Sequence, residues 1–101
     1  MGVLTYVTCS FSADHFRPYG EVRHGHDWHV MASYPTGLHK TKSEEVLSAV
    51  CAELDHGFLD DIVADPTNEG VAAWIGERTG AQYVRVWRFD KGREFGAEWC
   101  P

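Results

Sequence analysis

The chain predicts an α+β fold in which two helices cover one face of a small antiparallel sheet. Three observations carry this. Two strand-like segments stand at each end of the chain with two helix-like segments between them, the order β-β-α-α-β-β. The helix-like segments repeat apolar residues at a spacing near 3.6, so each has one face to bury, and a sheet is the natural partner. At 101 residues the chain has the length of one domain, taken as residues 1–101, with a modest core.

Val3 to Ser12 alternates loosely and is rich in β-branched and aromatic residues, which reads as a first strand. Arg17-Pro18-Tyr19-Gly20 breaks it into a loop. Arg23 to Tyr34 reads as a second strand, with Pro35-Thr36-Gly37 as its turn. Along that strand His24, His26, Trp28 and Val30 share one face, while Asp27, His29 and Met31 share the other. His29 is therefore a surface or packing residue and not a fourth ligand beside His24 and His26. Ser43-Glu44-Glu45 has the form of a helix start, a capping hydroxyl followed by two acids at the positive end of the dipole. Val46, Leu47, Val50 and Leu54 continue at helical spacing, and Asp55-His56-Gly57 falls where the helix ends. Asp65-Pro66 opens a second helix with proline in its first turn; Val71, Trp74, Ile75 and Arg78 line its face and Gly80 closes it. Gln82 to Phe89 is a third strand and Glu94 to Trp99 a fourth. So small a sheet leaves edges that pairing between copies would remove.

Composition narrows the function classes. The net charge is −6 and there is no basic run, which argues against a nucleic-acid partner. No stretch is long and apolar enough to span a membrane. The N-terminus lacks the pattern of a secretory signal, so the expected location is cytoplasmic. Cys9, Cys51 and Cys100 make an odd count with no C-x-x-C, consistent with a reducing compartment and no disulfide framework. Cys51, among apolar helix positions, reads as a small buried hydrophobe.

Histidine is left to carry any metal chemistry. His24-Gly25-His26 presents two imidazoles on one face of a strand, and His15 from the preceding strand completes a three-nitrogen set. Three protein ligands with an open fourth position make a catalytic zinc arrangement rather than a structural one. Asp55-His56 is a second candidate element. A carboxylate beside a histidine fixes its tautomer and raises its basicity, but the same pair fits a helix C-terminal cap. Adjacent side chains seldom bond each other well, so the expected pairing of Asp55 with a histidine is across a subunit boundary. Glu21, three residues before His24, is either a solvated loop carboxylate or, if buried, a general base. Thr67 and Glu69 stand at the start of the second helix, where free N–H groups favour an anion or a carbonyl, and where simple capping by Asp65 or Thr67 fits as well.

Four motifs in order give a family likeness. Phe11-Ser12-Ala13-Asp14-His15, then H-G-H at His24 to His26, then Leu54-Asp55-His56, then P-T-x-E-x-x-A-x-W-I from Pro66 to Ile75 resemble the 6-pyruvoyl-tetrahydropterin synthase and 6-carboxy-tetrahydropterin synthase family. The resemblance runs from about Phe11 to Val86, with a gap around residues 33 to 42. It implies the tunnelling fold (T-fold), in which subunits join antiparallel sheets into a barrel. It further implies Zn2+ on His15, His24 and His26 and a small-molecule pterin substrate, 7,8-dihydroneopterin triphosphate. The homo-oligomer it implies is commonly a hexamer, with the active site at a subunit interface. It favours Asp55 and His56 as a catalytic relay and places Thr67 and Glu69 at the pterin pocket.

The chain departs from the family pattern in three places. The family cysteine four residues before H-G-H is Gly20 here, while Glu21 gives E-x-x-H-G-H, similar to a branch in which glutamate replaces cysteine and the product is 6-hydroxymethyl-dihydropterin. The glutamate that grips the pterin edge aligns with Arg88, which has only donors and cannot pair with a donor edge; either Glu94, Glu98 or Asp90 takes over that role, or the ligand is not a standard pterin and Arg88 holds a carboxylate or phosphate. The family's G-M-V-x-D-F strand is reduced to Gly37-Leu38-His39-Lys40-Thr41-Lys42.

The leading expectation is thus a zinc-dependent lyase most similar to 6-carboxy-tetrahydropterin synthase, of the 7-deazaguanine (queuosine) pathway. The alternative is the Glu21 variant that forms 6-hydroxymethyl-dihydropterin for folate. A third reading is a re-purposed or inactive zinc-binding T-fold protein with a non-pterin ligand.

Overall fold

The computed structural model describes residues 2–16, 23–35 and 39–101. The elements follow the order β1 (Leu4–His15), β2 (His24–Pro35), α1 (Lys40–Ala52), a 3-10 turn (Leu59–Asp61), α2 (Asn68–Thr79), β3 (Tyr83–Asp90) and β4 (Arg93–Trp99). The four strands form one antiparallel sheet in the order β1-β2-β3-β4. Both helices lie on the same face, α1 against β1 and α2 against β3 and β4. This is the architecture that the alternating strands and one-faced helices predict.

Side-chain alternation builds the core. Val7, Phe11 and Ala13 of β1, Trp28, Val30 and Ala32 of β2, and Val84 and Val86 of β3 all point under the helices and are buried. Leu47, Val50 and Cys51 of α1 and Val71, Ala72 and Ile75 of α2 meet them. Each large side chain removed from water here contributes roughly 1.5–3 kcal/mol. The unbroken register carries this face to the end of the hairpin, where Ala13 is opposite His26 and His15 is opposite His24. The same face thus changes from apolar to imidazole at one end of the sheet.

Both helix starts differ from the expected ones. α1 begins at Lys40, a turn before Ser43, with His39 as its cap: the His39 ring accepts from the Thr41 N–H at 3.2 Å. Ser43 is buried inside the helix and bonds back to the His39 carbonyl, so no acid stands in the first turn. α2 begins at Asn68, not at Asp65-Pro66, because Thr67 caps it by accepting from the Gly70 N–H at 3.2 Å. Gly80 ends α2 with φ +69°. β1 runs three residues past Ser12, to His15. No helix among the described residues is long and apolar enough to cross a membrane.

Candidate metal and catalytic site

His15 closes β1 and His24 opens β2, so the two strands deliver three imidazoles to the mouth of one hairpin. The ring centroids form a near-equilateral triangle, with His15–His24 at 4.5 Å, His24–His26 at 4.5 Å and His15–His26 at 5.0 Å. One ligand atom from each lies within 4.8 Å of the other two. Trp28, the next residue on that face, floors the triangle with its ring 5.1 Å from His15, and its indole N–H donates to the Ala13 carbonyl at 3.2 Å. Gly25 fits between the two histidines because a Cβ there would come within 2.6 Å of the Asp14 carboxylate on the facing strand.

His15 has a defined tautomer. Its Nδ1 donates to the Pro66 carbonyl at 2.7 Å, which leaves the lone pair on Nε2. A ring held this way by a backbone carbonyl is the usual outer-shell support of a metal-binding histidine. Burial pushes the His15 pKa down, opposed by the Pro66 hydrogen bond and aided by the nearby Arg88 charge. The imidazole is therefore kept neutral, as a ligand must be. Three such nitrogens suit a borderline divalent ion such as zinc and leave a position open for a further ligand.

Arg88 reaches the same place from β3. It is 9% exposed, its guanidinium lies over the Trp28 ring at 4.4 Å and 5.0 Å from the Phe95 ring, and its Nε donates to Asn68 Oδ1 at 2.9 Å. Its Nη1 lies 3.4 Å from His15 Nε2. Burial pushes its pKa down, with the Glu69 carboxylate acting in the opposite direction. Glu69 itself is exposed on the first turn of α2. The Thr67 hydroxyl is occupied as the cap of that helix.

Asp55 and His56 pair within one chain, contrary to the expectation that they would bond across a boundary. His56 takes a left-handed backbone, φ +59°, which turns its Nδ1 onto Asp55 Oδ2 at 2.9 Å. The cap residue of α1 is Glu53, and the Asp55 N–H also closes the helix end by donating to the Cys51 carbonyl at 3.0 Å. Both residues are tied to β1 as well: the Ser12 N–H donates to Asp55 Oδ1 at 3.0 Å, and the His56 N–H donates to the Ser12 carbonyl at 2.6 Å. The Ser12 donor holds the Asp55 carboxyl below its ordinary pKa, and the His56 hydrogen bond adds to this. His56, its side chain 84% exposed, shares with His26, Ser12, Asp14, Asp27 and Gly57 the lining of an open depression of about 470 Å3. Within it Ser12 Oγ donates to Asp27 Oδ1 at 2.6 Å. Glu21 lies outside the described residues, as does Gly20. The flanks of that segment are anchored, with the Phe16 N–H on Asp60 Oδ1 at 3.0 Å and Arg23 paired to Asp14 at 3.0 Å.

The structure thus gathers His15, His24, His26 and Arg88 at one point. It sets Asp55-His56 on the β1 edge beside them and leaves Thr67 and Glu69 on the helix start. Sequence reasoning missed Asn68 and the Pro66 carbonyl, which orient Arg88 and His15 from 20 and 51 residues away. The motif that contains both, Pro66 to Glu69, was the available signal.

Fold and site together define a four-stranded antiparallel sheet with two helices on one face and a cluster of three histidines, able to hold a metal ion, at one end. Comparison with known proteins bears on the kind. No protein-family model matches the chain. Over 62 residues it is 39% identical to the dihydroneopterin monophosphate aldolase of Pyrococcus furiosus, a stretch that makes up 56% of this chain and 54% of that protein. The chain therefore matches about half the length of that relative. In structure it is similar to a Plasmodium vivax 6-pyruvoyltetrahydropterin synthase in which a catalytic glutamate is replaced by alanine. The TM-score is 0.60 and the identity 14%, over 98% of this chain and 99% of the other. That likeness shows the T-fold. At 14% identity it shows the fold alone, and the aldolase match is a likeness over about half of each chain.

Proposed function

We propose that the chain is a zinc-dependent lyase that cleaves the side chain of a phosphorylated dihydroneopterin. The observation that carries the reading is the triangle of His15, His24 and His26, with its lone pair on His15 Nε2 set by the Pro66 carbonyl. Zinc, when bound there, supplies a Lewis acid that polarises the side-chain hydroxyls. The remaining work falls to the chain. Glu21, three residues before His24, takes the proton of a side-chain hydroxyl. Asp55 holds His56 in one tautomer through the 2.9 Å contact, so that Nε2 is free to move a second proton.

The retro-aldol outcome is favoured by Glu21 in place of the family cysteine and by the aldolase relative. The proton leaves the hydroxyl on the second side-chain carbon, and that carbon becomes an aldehyde. The bond to the first carbon breaks, its electron pair passes toward the dihydropterin ring, and the first carbon is reprotonated to give 6-hydroxymethyl-dihydropterin. The second reading, a 6-carboxy-tetrahydropterin synthase of the 7-deazaguanine pathway, draws on the same three histidines. Both reactions are tested by incubating the zinc-loaded protein with 7,8-dihydroneopterin monophosphate and triphosphate and identifying the pterins by mass spectrometry. A hydroxymethyl product supports the first reading and a carboxy product the second. Bound zinc with neither product overturns both and leaves a re-purposed metal protein.

A further inference from the structure

Arg88 is a buried cation among neutral partners. Its contacts are an amide oxygen (Asn68), an imidazole nitrogen (His15) and two aromatic faces (Trp28 and Phe95). Among the described residues it makes no ion pair; the four ion pairs found there are Arg23–Asp14, Lys40–Glu44, His56–Asp55 and Arg85–Glu94. Burying a charge is costly unless it is paired. With Nε committed to Asn68, the donors left for a ligand are those on Nη1 and Nη2, the end of the guanidinium that fits a two-oxygen anion.

The neighbour of Nη1 gives this a consequence. His15 Nε2 is the atom whose lone pair a metal would take, and Nη1 stands 3.4 Å from it. A divalent ion bound there displaces that contact and meets a guanidinium at close range. Two cations side by side repel, and both then lack an acceptor. An oxyanion lying between them supplies what each needs.

We propose that Arg88 and the three-histidine cluster form one composite site for a metal and an oxyanion, a carboxylate or phosphate group, which bind cooperatively. The inference rests on the metal-site part of the reading above and not on the pterin chemistry. It makes Arg88 the determinant that selects a ligand presenting acidic oxygens at the metal, where a glutamate would select a donor edge.

The test is zinc affinity, measured on the whole metal-free chain by competition with a chromophoric chelator. It is run without added anion, with inorganic phosphate and with acetate, each corrected by the same titration without protein. Coupling between two sites is typically 5–150-fold, so either anion is expected to raise zinc affinity by about tenfold. The more effective anion names the group recognised. In Arg88→Gln the anion effect is expected to vanish, and zinc alone to bind more tightly than in the wild type. Arg88→Lys keeps the charge and is expected to keep part of the effect. Zinc binding that responds to neither anion in the wild type overturns the proposal without touching the metal site, and this needs no variant to fold. An equal anion effect in wild type and Arg88→Gln overturns it too. Absence of zinc binding under every condition overturns the three-histidine reading itself.

Discussion

Asp55 shows how a single side chain joins the site to the fold. Its carboxylate accepts from the Ser12 N–H at 3.0 Å and from His56, and these donors favour the charged form, which is why its pKa lies below the ordinary 3.8. A carboxyl depressed in the folded state contributes stability above its unfolded pKa and loses that contribution as pH falls through the folded value. Asp55→Ala is therefore expected to melt below the wild type at neutral pH, with the gap closing as pH drops beneath the carboxylate range. Thermal melts at the two extremes decide it; a gap that stays constant would mean the residue acts through packing and not through charge. The same substitution removes the group that fixes the His56 tautomer, so on the proposed reaction it lowers turnover while leaving zinc binding unchanged.

Between α2 and β4 the packing is close enough to need a glycine. A Cβ on Gly76 would fall 2.2 Å from the Trp99 ring, so the helix and the last strand touch across a residue without a side chain. Glycine inside a helix costs roughly 1 kcal/mol relative to alanine, and Gly76→Ala would be stabilising if propensity decided. The clash is larger: overpacking a tight contact costs about 1–3 kcal/mol, and Gly76→Ala is expected to destabilise by that amount in urea denaturation. A stabilised variant would show that α2 and β4 do not pack as described. At this scale the strands were legible in the sequence, because burial on one face imposes the period of two that joins His24, His26, Trp28 and Val30. Helix starts were less so. Ser43 has the side chain of a cap but is buried, bonding back to His39, whose ring does the capping. Pro66 looked like a first-turn proline, yet Thr67 caps the helix after it and its carbonyl faces His15. The three-histidine cluster was readable because it lies on two adjacent strands with local spacing. The left-handed turn at His56 and the Asn68 support of Arg88 were not, since residue type alone specifies neither a positive φ nor a partner 20 positions away.

Across the whole molecule the sheet is covered on one face by the helices, and its edge strands are β1 and β4. The segment after α1 covers β1 only near the site, through the bonds of Ser12 and Asp14 to residues 55–57. Among the described residues the rest of that edge and the outer edge of β4 have no strand beside them. The sheet face away from the helices carries Leu4, Tyr6 and Phe89 at 43%, 65% and 54% exposure, more apolar surface than a solvated face needs. Two open edges on one antiparallel sheet are a template for pairing with further copies, which is how the resemblance to T-fold proteins implies that a barrel forms. The direction of the edge groups makes this testable. In β1 the Ser12 N–H and carbonyl point away from β2, and the unbroken register puts the Thr8 N–H on the same side. Proline at an edge position whose N–H faces outward is tolerated within a sheet but cannot pair with a further strand. Thr8→Pro is thus expected to leave the fold of the single chain intact, by circular dichroism, while sedimentation shows the wild-type assembly reduced to monomer or to a smaller oligomer. An assembly of unchanged mass would move the contact to β4 or to the exposed face. A wild type already monomeric would mean that the Asp55–His56 pair and the three-histidine cluster act together, on the proposed reaction, within one chain.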